Sequence, residues 1–257
     1  MTGGPPPLPS IPYPGWLAKE GPAPPPDAKT PPPAKDAPPP PAKTPAVDKE
    51  CLGVRIVAPE GVDPKAVAAV EKYVTQMIGS NKHAQEELKK AKVEIVIIPH
   101  DKKMTDLDQF KDLKGKTTFD GRVWDDVRGS GGMATKDGHF ALAAPEENLT
   151  EIKGVADPYG KGYSVGMHEF AHTLHLKGLT EEQNKSIDKL FEDRTKAGGP
   201  WTETYGSSNK LEYFAQSTNA FFGMNQGIGQ NGRDWLEKND PEMCKFLDGL
   251  YGKPATK

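Results

Sequence analysis

The sequence has few cysteines, no excess of positive charge and no long apolar run. Its 257 residues carry a formal net charge of −3, whereas a nucleic-acid-binding protein would show a basic patch or stripe. No stretch approaches the length of a membrane span, and no apolar region of a signal peptide follows Met1. We therefore expect no nucleic-acid partner and no membrane span.

The chain contains two cysteines, Cys51 and Cys244, at opposite ends of the part that we expect to fold. This placement suits a disulfide that joins the first strand to the last helix, with buried free thiols as the alternative. We favour the disulfide and expect a secreted or cell-surface protein.

Proline is concentrated at the N-terminus. The first 50 residues hold 18 of the 26 prolines, in runs such as Pro5–Pro7 and Pro38–Pro41. Such a tract cannot bury enough apolar surface to form a core. The sequence predicts a disordered proline-rich spacer over residues 1–50 and one folded domain over residues 51–257, which is long enough for a sizeable core.

A metal-binding motif, His-Glu-Phe-Ala-His, occupies residues 168–172. The segment from Val165 to Lys177 has no proline and a periodic apolar stripe, and Gly178 provides a stop, so the motif should lie within a helix. Imidazoles four residues apart then share one face and can bind one zinc ion, with Glu169 beside the metal-bound water. The alternative is an exposed polar helix face.

A tetrahedral catalytic zinc with one bound water needs a third protein ligand besides His168 and His172. His175 lies nearly two turns from His168 and is too distant to join it around one ion. We expect His175 to be a packed surface residue rather than an outer-shell partner. Metzincins are excluded, because they require glycine at 175 and histidine at 178.

The better candidate for the third ligand is Glu212. Asn209 is a good N-cap for a second helix, and apolar residues recur there at helical spacing. Glu212 lies among apolar neighbours, where an unpaired charge would be costly; a solvated charge is the alternative. We expect one Zn²⁺ per chain, held by His168, His172 and Glu212.

Three blocks of sequence resemble the catalytic domain of the anthrax lethal factor type of zinc peptidases, and more loosely the Mlc titration factor peptidases. The blocks are VWDDVRGSGG (123–132, followed by EEN at 146–148), DPYGKGYSVGMHEFAHTLH (157–175) and YGSSNKLEYFAQSTNAFFG (205–223). The resemblance implies a zincin-like metallopeptidase with Glu212 as the third ligand and Tyr205 as the stabiliser of the oxyanion. Gln216 departs from the pattern, since the family often has a second glutamate there.

The order of predicted elements indicates an α+β fold. Strands are predicted at 54–58 and 93–99, with a helix from Asp63-Pro64 to Gly79 between them. The glycine-rich passage 115–138 is interpreted as a turn, and residues 139–144 as a strand. A capping box at Thr180 and an Asp240-Pro241 start predict further helices, so a small mixed sheet should precede a helical C-terminal half.

The strand His139 to Ala144 is our candidate for the edge strand that pairs with an extended substrate, with an interior strand equally possible. Glu146, Glu147 and Asn148 follow it; they could meet substrate, but solvated charge is the more common role of such glutamates. Trp124 and Trp201 are expected to be packing residues.

The predicted function is that of a zinc-dependent endopeptidase of the gluzincin type, in which Glu169 activates the zinc-bound water and Tyr205 binds the oxyanion. The expected partner is a protein or peptide substrate, and we expect a monomer. Two alternatives are a zinc amidohydrolase that acts on non-peptide amides and a non-catalytic binding module that retains the fold. Nothing in the binding-module alternative accounts for a glutamate at position 169.

Overall fold

The computed structural model describes residues 44–118, 121–160, 162–224 and 232–252. The architecture is α+β, as the order of elements predicts, with one mixed sheet and a helical C-terminal half. The strands are Val47–Cys51 (β1), Val54–Ala58 (β2), Val93–Ile98 (β3), Ser130–Ala134 (β4) and Phe140–Pro145 (β5). The helices are Pro64–Ile78 (α1), Lys82–Lys90 (α2), Glu146–Leu149 (α3), Val165–Lys177 (α4), Glu181–Ala197 (α5), Lys210–Phe221 (α6), Arg233–Asn239 (α7) and Pro241–Tyr251 (α8).

The sheet has the strand order β1-β2-β3-β5-β4. β2, β3 and β5 are parallel neighbours, and β1 and β4 pair antiparallel at the two edges. Helices α1 and α2 connect β2 to β3, because parallel neighbours require a crossover connection. The expected βαβ-like start is therefore confirmed.

Two expectations about the sheet are wrong. The glycine-rich passage, expected to be a turn, contains strand β4. β5, our candidate for the substrate-binding edge, is an interior strand between β3 and β4. The edge next to the helical half is β4, which lies against α4.

Strand β3 contributes side chains to two separate buried clusters, one on each face of the sheet. Its sequence VEIVII is buried at all six positions, as expected for a strand that is covered on both faces. Val93, Ile95 and Ile97 join the main core, with residues of α1, α4, α6 and α8. Val96 and Ile98 face a smaller cluster that contains Phe110 and Trp124.

Helix boundaries follow the capping signals in the sequence. Asp63 accepts a hydrogen bond from the Lys65 amide, with Pro64 in the first turn of α1. Thr180 and Gln183 form the predicted capping box of α5. Asn209 and Asp240 cap α6 and α8 through their side chains. Side-chain oxygens at these positions satisfy amides that have no partner inside the helix.

The two cysteines are free thiols, so the predicted disulfide is wrong. Cys51 ends β1 and contacts Thr75 of α1, whereas Cys244 is buried on α8 in the field of Arg233. Their separation along the sequence gave no measure of their separation in space. Among the described residues, no helix is long and apolar enough to cross a membrane.

The domain boundary differs from the expected one. β1 begins at Val47 and pairs along its length with β2, so the folded chain starts before Cys51. The remainder of the expected spacer, residues 1–43, lies outside the described residues.

Candidate metal centre

Helix α4 carries the motif, and its ends are where the sequence predicts them. Ser164 caps the helix by accepting a hydrogen bond from the Met167 amide, and Gly178 ends it. Phe170, Ala171 and Leu174 are fully buried in the main core. The histidine face is thereby held against the helix that carries Glu212, since α4 and α6 pack closely together.

The three predicted ligands converge in the interior. The Nε2 atoms of His168 and His172 lie 2.9 Å apart. His168 Nε2 is 3.1 Å from Glu212 Oε2, and His172 Nε2 is 3.4 Å from Glu212 Oε1. All three side chains are buried, and among the described residues they form the only group of histidine, cysteine or acidic side chains with this convergence.

These distances fit a zinc ion. Zinc–nitrogen and zinc–oxygen bonds of about 2.0–2.2 Å place tetrahedral ligand atoms about 3.4 Å apart, so a shift of a few tenths of an ångström would admit the metal. Apart from the two imidazoles, the oxygens of Glu212 have no hydrogen-bond donor among the described residues. A buried carboxylate facing two imidazole nitrogens without a further donor is a donor set suited to a cation.

The pKa values of the two buried glutamates, Glu212 and Glu169, are shifted in opposite directions. Burial acts to raise the pKa of Glu212, but His172 and His168 outweigh it and hold that pKa well below its usual range. Burial raises the pKa of Glu169 to about 8, despite the opposing effect of His172. The surroundings therefore favour the carboxylate form of Glu212, whereas they bring the pKa of Glu169 closer to neutral pH.

The two imidazoles also differ. Burial lowers the pKa of His168, and the neighbouring His172 acts in the same direction. Burial acts to lower the pKa of His172 as well, but the Glu212 carboxylate outweighs it and raises that pKa. The neutral imidazole favoured at His168 is the form that binds a metal.

Glu169 lies beside the start of β4. Both of its oxygens are buried and have no hydrogen-bond partner among the described residues. A Cβ atom built on Gly129 would lie 3.8 Å from Glu169 Oε1 and would clash with Val165. The absence of a side chain at position 129 thus lets the chain that leads into β4 pack closely against Val165 of α4, one turn before Glu169.

Tyr205 occupies a short 3₁₀ turn, Thr204–Ser207, that packs on α6. Its half-buried side chain contacts the cluster formed by Tyr159, Tyr163 and Val165. The ring of Tyr163 in turn lies against His168. The fold therefore places Tyr205 on the side of His168, and its role at the oxyanion stays a prediction.

His175 differs from the expected surface residue. It is buried, its ring packs edge-on against Phe214, and burial lowers its pKa to about 4. The packing role is as expected, but the surface location is wrong.

The residues after β5 are structural rather than solvated. Glu146 accepts hydrogen bonds from the amides of Asp63 and His100, and Glu147 forms an ion pair with Arg128. Asn148 bonds to Tyr163 and Val165 at the start of α4. Our expectation that these glutamates are solvated is therefore wrong. Their partners are distant in the sequence, so the pattern around residues 146–148 did not indicate them.

Tyr163 and Asn219 also lie at the centre, and neither was assigned a role from the sequence. Asn219 donates a hydrogen bond to the Ser164 carbonyl and so joins α6 to the start of α4. The signal for Asn219 was its spacing, because residues 212, 216 and 219 share one helix face. Tyr163 precedes the helix and carries no such periodic signal. Trp124 and Trp201 are packing residues, as expected.

Comparison with known proteins gives two findings. Residues 64–250 match the family model described as anthrax toxin lethal factor, N- and C-terminal domain. The fold is similar to the structure of the Pro-Pro endopeptidase PPEP-2 from Paenibacillus alvei, with a TM-score of 0.51 and 19% sequence identity over 76% of this chain and 97% of that chain. No curated protein matches the sequence significantly. Because the family match spans most of the chain and includes all three converging side chains, the protein belongs to the anthrax toxin lethal factor family.

Proposed function

We propose that the protein is a zinc-dependent endopeptidase of the gluzincin type, with one zinc ion per chain held by His168, His172 and Glu212. The observation that carries the proposal is the buried convergence of these three side chains beside Glu169, a glutamate that has no hydrogen-bond partner in the described part of the chain. Membership of the lethal factor family supports it.

Each residue has a chemical role in the proposed reaction. Bound zinc would supply Lewis-acid chemistry, by lowering the pKa of a water molecule and polarising the scissile carbonyl. Glu169 accepts the proton of the attacking water and delivers it to the leaving amine, which suits a carboxyl with a pKa near 8. Tyr205 donates a hydrogen bond to the oxyanion.

We further propose that the substrate is an extended peptide that pairs with β4. Among the described strands, β4 is an edge of the sheet and lies against α4, and Gly129, just before it, lies close to Glu169. An edge strand offers unpaired backbone groups to which a peptide can add as a further strand. We expect the protein to be monomeric and secreted or at the cell surface.

Incubation of the purified protein with a diverse peptide library, read by mass spectrometry, tests the function. Peptides with Pro-Pro bonds belong in the library, because the fold is similar to that of a Pro-Pro endopeptidase. Glu169→Gln is the matched control, since it keeps the shape and all three ligands but removes the proton acceptor. We expect cleavage by the wild type and turnover near background in the variant.

Three results would contradict the endopeptidase proposal. If Glu169→Gln cleaves peptides as fast as the wild type, the role of Glu169 is wrong. If the zinc-loaded wild type hydrolyses small non-peptide amides but no peptide, the amidohydrolase alternative is favoured. If it hydrolyses neither, the binding-module alternative is favoured.

A further inference from the structure

We propose that Tyr163 is a positioning residue for the metal centre: its ring holds the His168 imidazole in place, and its hydroxyl ties that arrangement to the helix that carries Glu212. The inference rests on the proposed function, because it assigns His168 to the metal. The evidence for it lies in the contacts of the His168 imidazole and in the hydrogen bonds around Tyr163.

The first observation concerns the outer nitrogen of His168. A metal-binding histidine usually donates its second ring N–H to a carboxylate or carbonyl, which fixes the orientation of the ring. Among the described residues, His168 Nδ1 has no hydrogen-bond partner. Among the described residues, the restraint on this side of the ring therefore comes from packing contacts.

Aromatic packing supplies that restraint. The rings of Tyr163 and His168 have centroids 5.9 Å apart at an interplanar angle of 43°. The His172 ring borders His168 at 4.6 Å, nearly perpendicular. Tyr163 is itself stacked on Tyr159, with centroids 6.2 Å apart. Contacts at these separations are within the range of favourable aromatic pairs.

The hydroxyl of Tyr163 connects to α6. Gln216 Nε2 donates to Tyr163 Oη at 3.4 Å, and both side chains are buried. Gln216 lies one helical turn after Glu212, on the same face. A single side chain thus contacts one proposed ligand and is bonded to the helix of another.

The backbone at Tyr163 is fixed from two sides. Asn148 Nδ2 donates to the Tyr163 carbonyl at 2.7 Å, and Asn148 Oδ1 accepts from the Val165 amide at 2.8 Å. Asn219 donates to the Ser164 carbonyl at 3.1 Å. Because the backbone cannot rotate freely here, the Tyr163 ring is held in its contact with His168.

Zinc affinity, measured by competition with a chelator, tests the proposal, together with the absorption spectrum of the cobalt-substituted protein. Tyr163→Leu removes the ring, and we expect zinc binding weaker by about 10- to 100-fold, the usual cost of losing an outer contact to a ligand, with an altered cobalt spectrum. Tyr163→Phe keeps the ring and should restore most of the affinity.

The hydrogen bond to Gln216 is tested separately. Tyr163→Phe and Gln216→Leu should each weaken zinc binding by about 3-fold, and the double variant by no more than either alone, because both remove the same bond. If Tyr163→Leu does not fold, this double-mutant cycle tests the proposal by itself. Additive losses of zinc affinity in the double variant, or no loss in either single variant, would overturn the link between Tyr163 and α6.

Tyr251 is the matched control. It is a buried tyrosine whose hydroxyl bonds to Thr218 of α6 and whose ring packs on phenylalanines. Tyr251→Leu should lower the melting temperature of the metal-free protein but leave zinc affinity unchanged. If Tyr163→Leu binds zinc as tightly as the wild type, or loses no more affinity than Tyr251→Leu, the positioning role is wrong although the proposed function stands. If the wild type binds no zinc, the proposed function itself is overturned.

Discussion

At the scale of single residues, the centre gives opposite properties to two buried glutamates. Glu212 faces two imidazoles, which lower its pKa, and Glu169 has no hydrogen-bond partner among the described residues and a pKa of about 8. Environments that separate the pKa values of neighbouring carboxyls also separate their chemical roles. One glutamate is suited to bind a metal and the other to transfer a proton.

The proposed oxyanion donor makes a prediction at this scale. Tyr205→Phe removes only a hydroxyl that matters most once the oxyanion forms. We expect kcat to fall on the order of 10²-fold with KM nearly unchanged. Steady-state kinetics on a cleaved peptide measures both, with zinc content as the control. A change confined to KM would make Tyr205 a substrate contact.

The residues of the centre were predictable to the extent that local spacing determines them. His168 and His172 follow from a helix period, and Glu212 follows from its place in a second capped helix. Glu146 and Asn148 were not predictable, because their partners Asp63, His100 and Tyr163 are brought near them only by the fold. Burial of this kind has no local signal.

At the scale of elements, the close approach of β4 to α4 depends on glycine. A Cβ atom at Gly132 would lie 2.9 Å from Thr173 Oγ1 and would overlap the ring of Phe140. The same glycines give β4 a sequence, Ser-Gly-Gly-Met-Ala, with little preference for a strand. The contact that requires glycine is therefore also the reason why the strand was interpreted as a turn.

Gly132→Ala should separate β4 from α4. We expect it to lower the free energy of unfolding by about 1–3 kcal/mol, the usual cost of overpacking, in chemical denaturation. Gly249→Ala is the control, because a Cβ there meets nothing within 4 Å on α8 and should stabilise the helix by about 0.5–1 kcal/mol. Equal effects of the two changes would show that β4 does not depend on this approach.

The position of β4 at the edge of the sheet could not be predicted from the sequence either. Residues 139–144 were correctly predicted to be a strand, but whether a strand is an edge depends on its neighbours in the sheet. β5 pairs with β3 on one side and with β4 on the other. β3 and β4 are separated by a long connection in the sequence, so their arrangement around β5 has no local signal.

At the scale of the whole molecule, the folded chain includes β1. β1 pairs with β2, and Arg55 of β2 bonds to Asp48 of β1 and to the buried Glu94 of β3. These contacts give β1 a structural role that its composition did not indicate.

Two truncations test this boundary. A chain that begins at Thr44 should keep the melting temperature and the activity of the full protein on a small peptide. A chain that begins at Gly53 lacks β1, exposes β2 as an edge and should melt at a lower temperature. A large loss of stability in the first truncation would show that residues 1–43 pack on the domain.

The most direct test of the account is the zinc content of the protein after metal reconstitution, measured by elemental analysis. We predict one zinc per chain for the wild type and near-zero content for His172→Ala and Glu212→Ala, since each variant removes one of three protein ligands. Absence of zinc from the wild type, or wild-type zinc affinity in Glu212→Ala, would contradict the proposed metal centre.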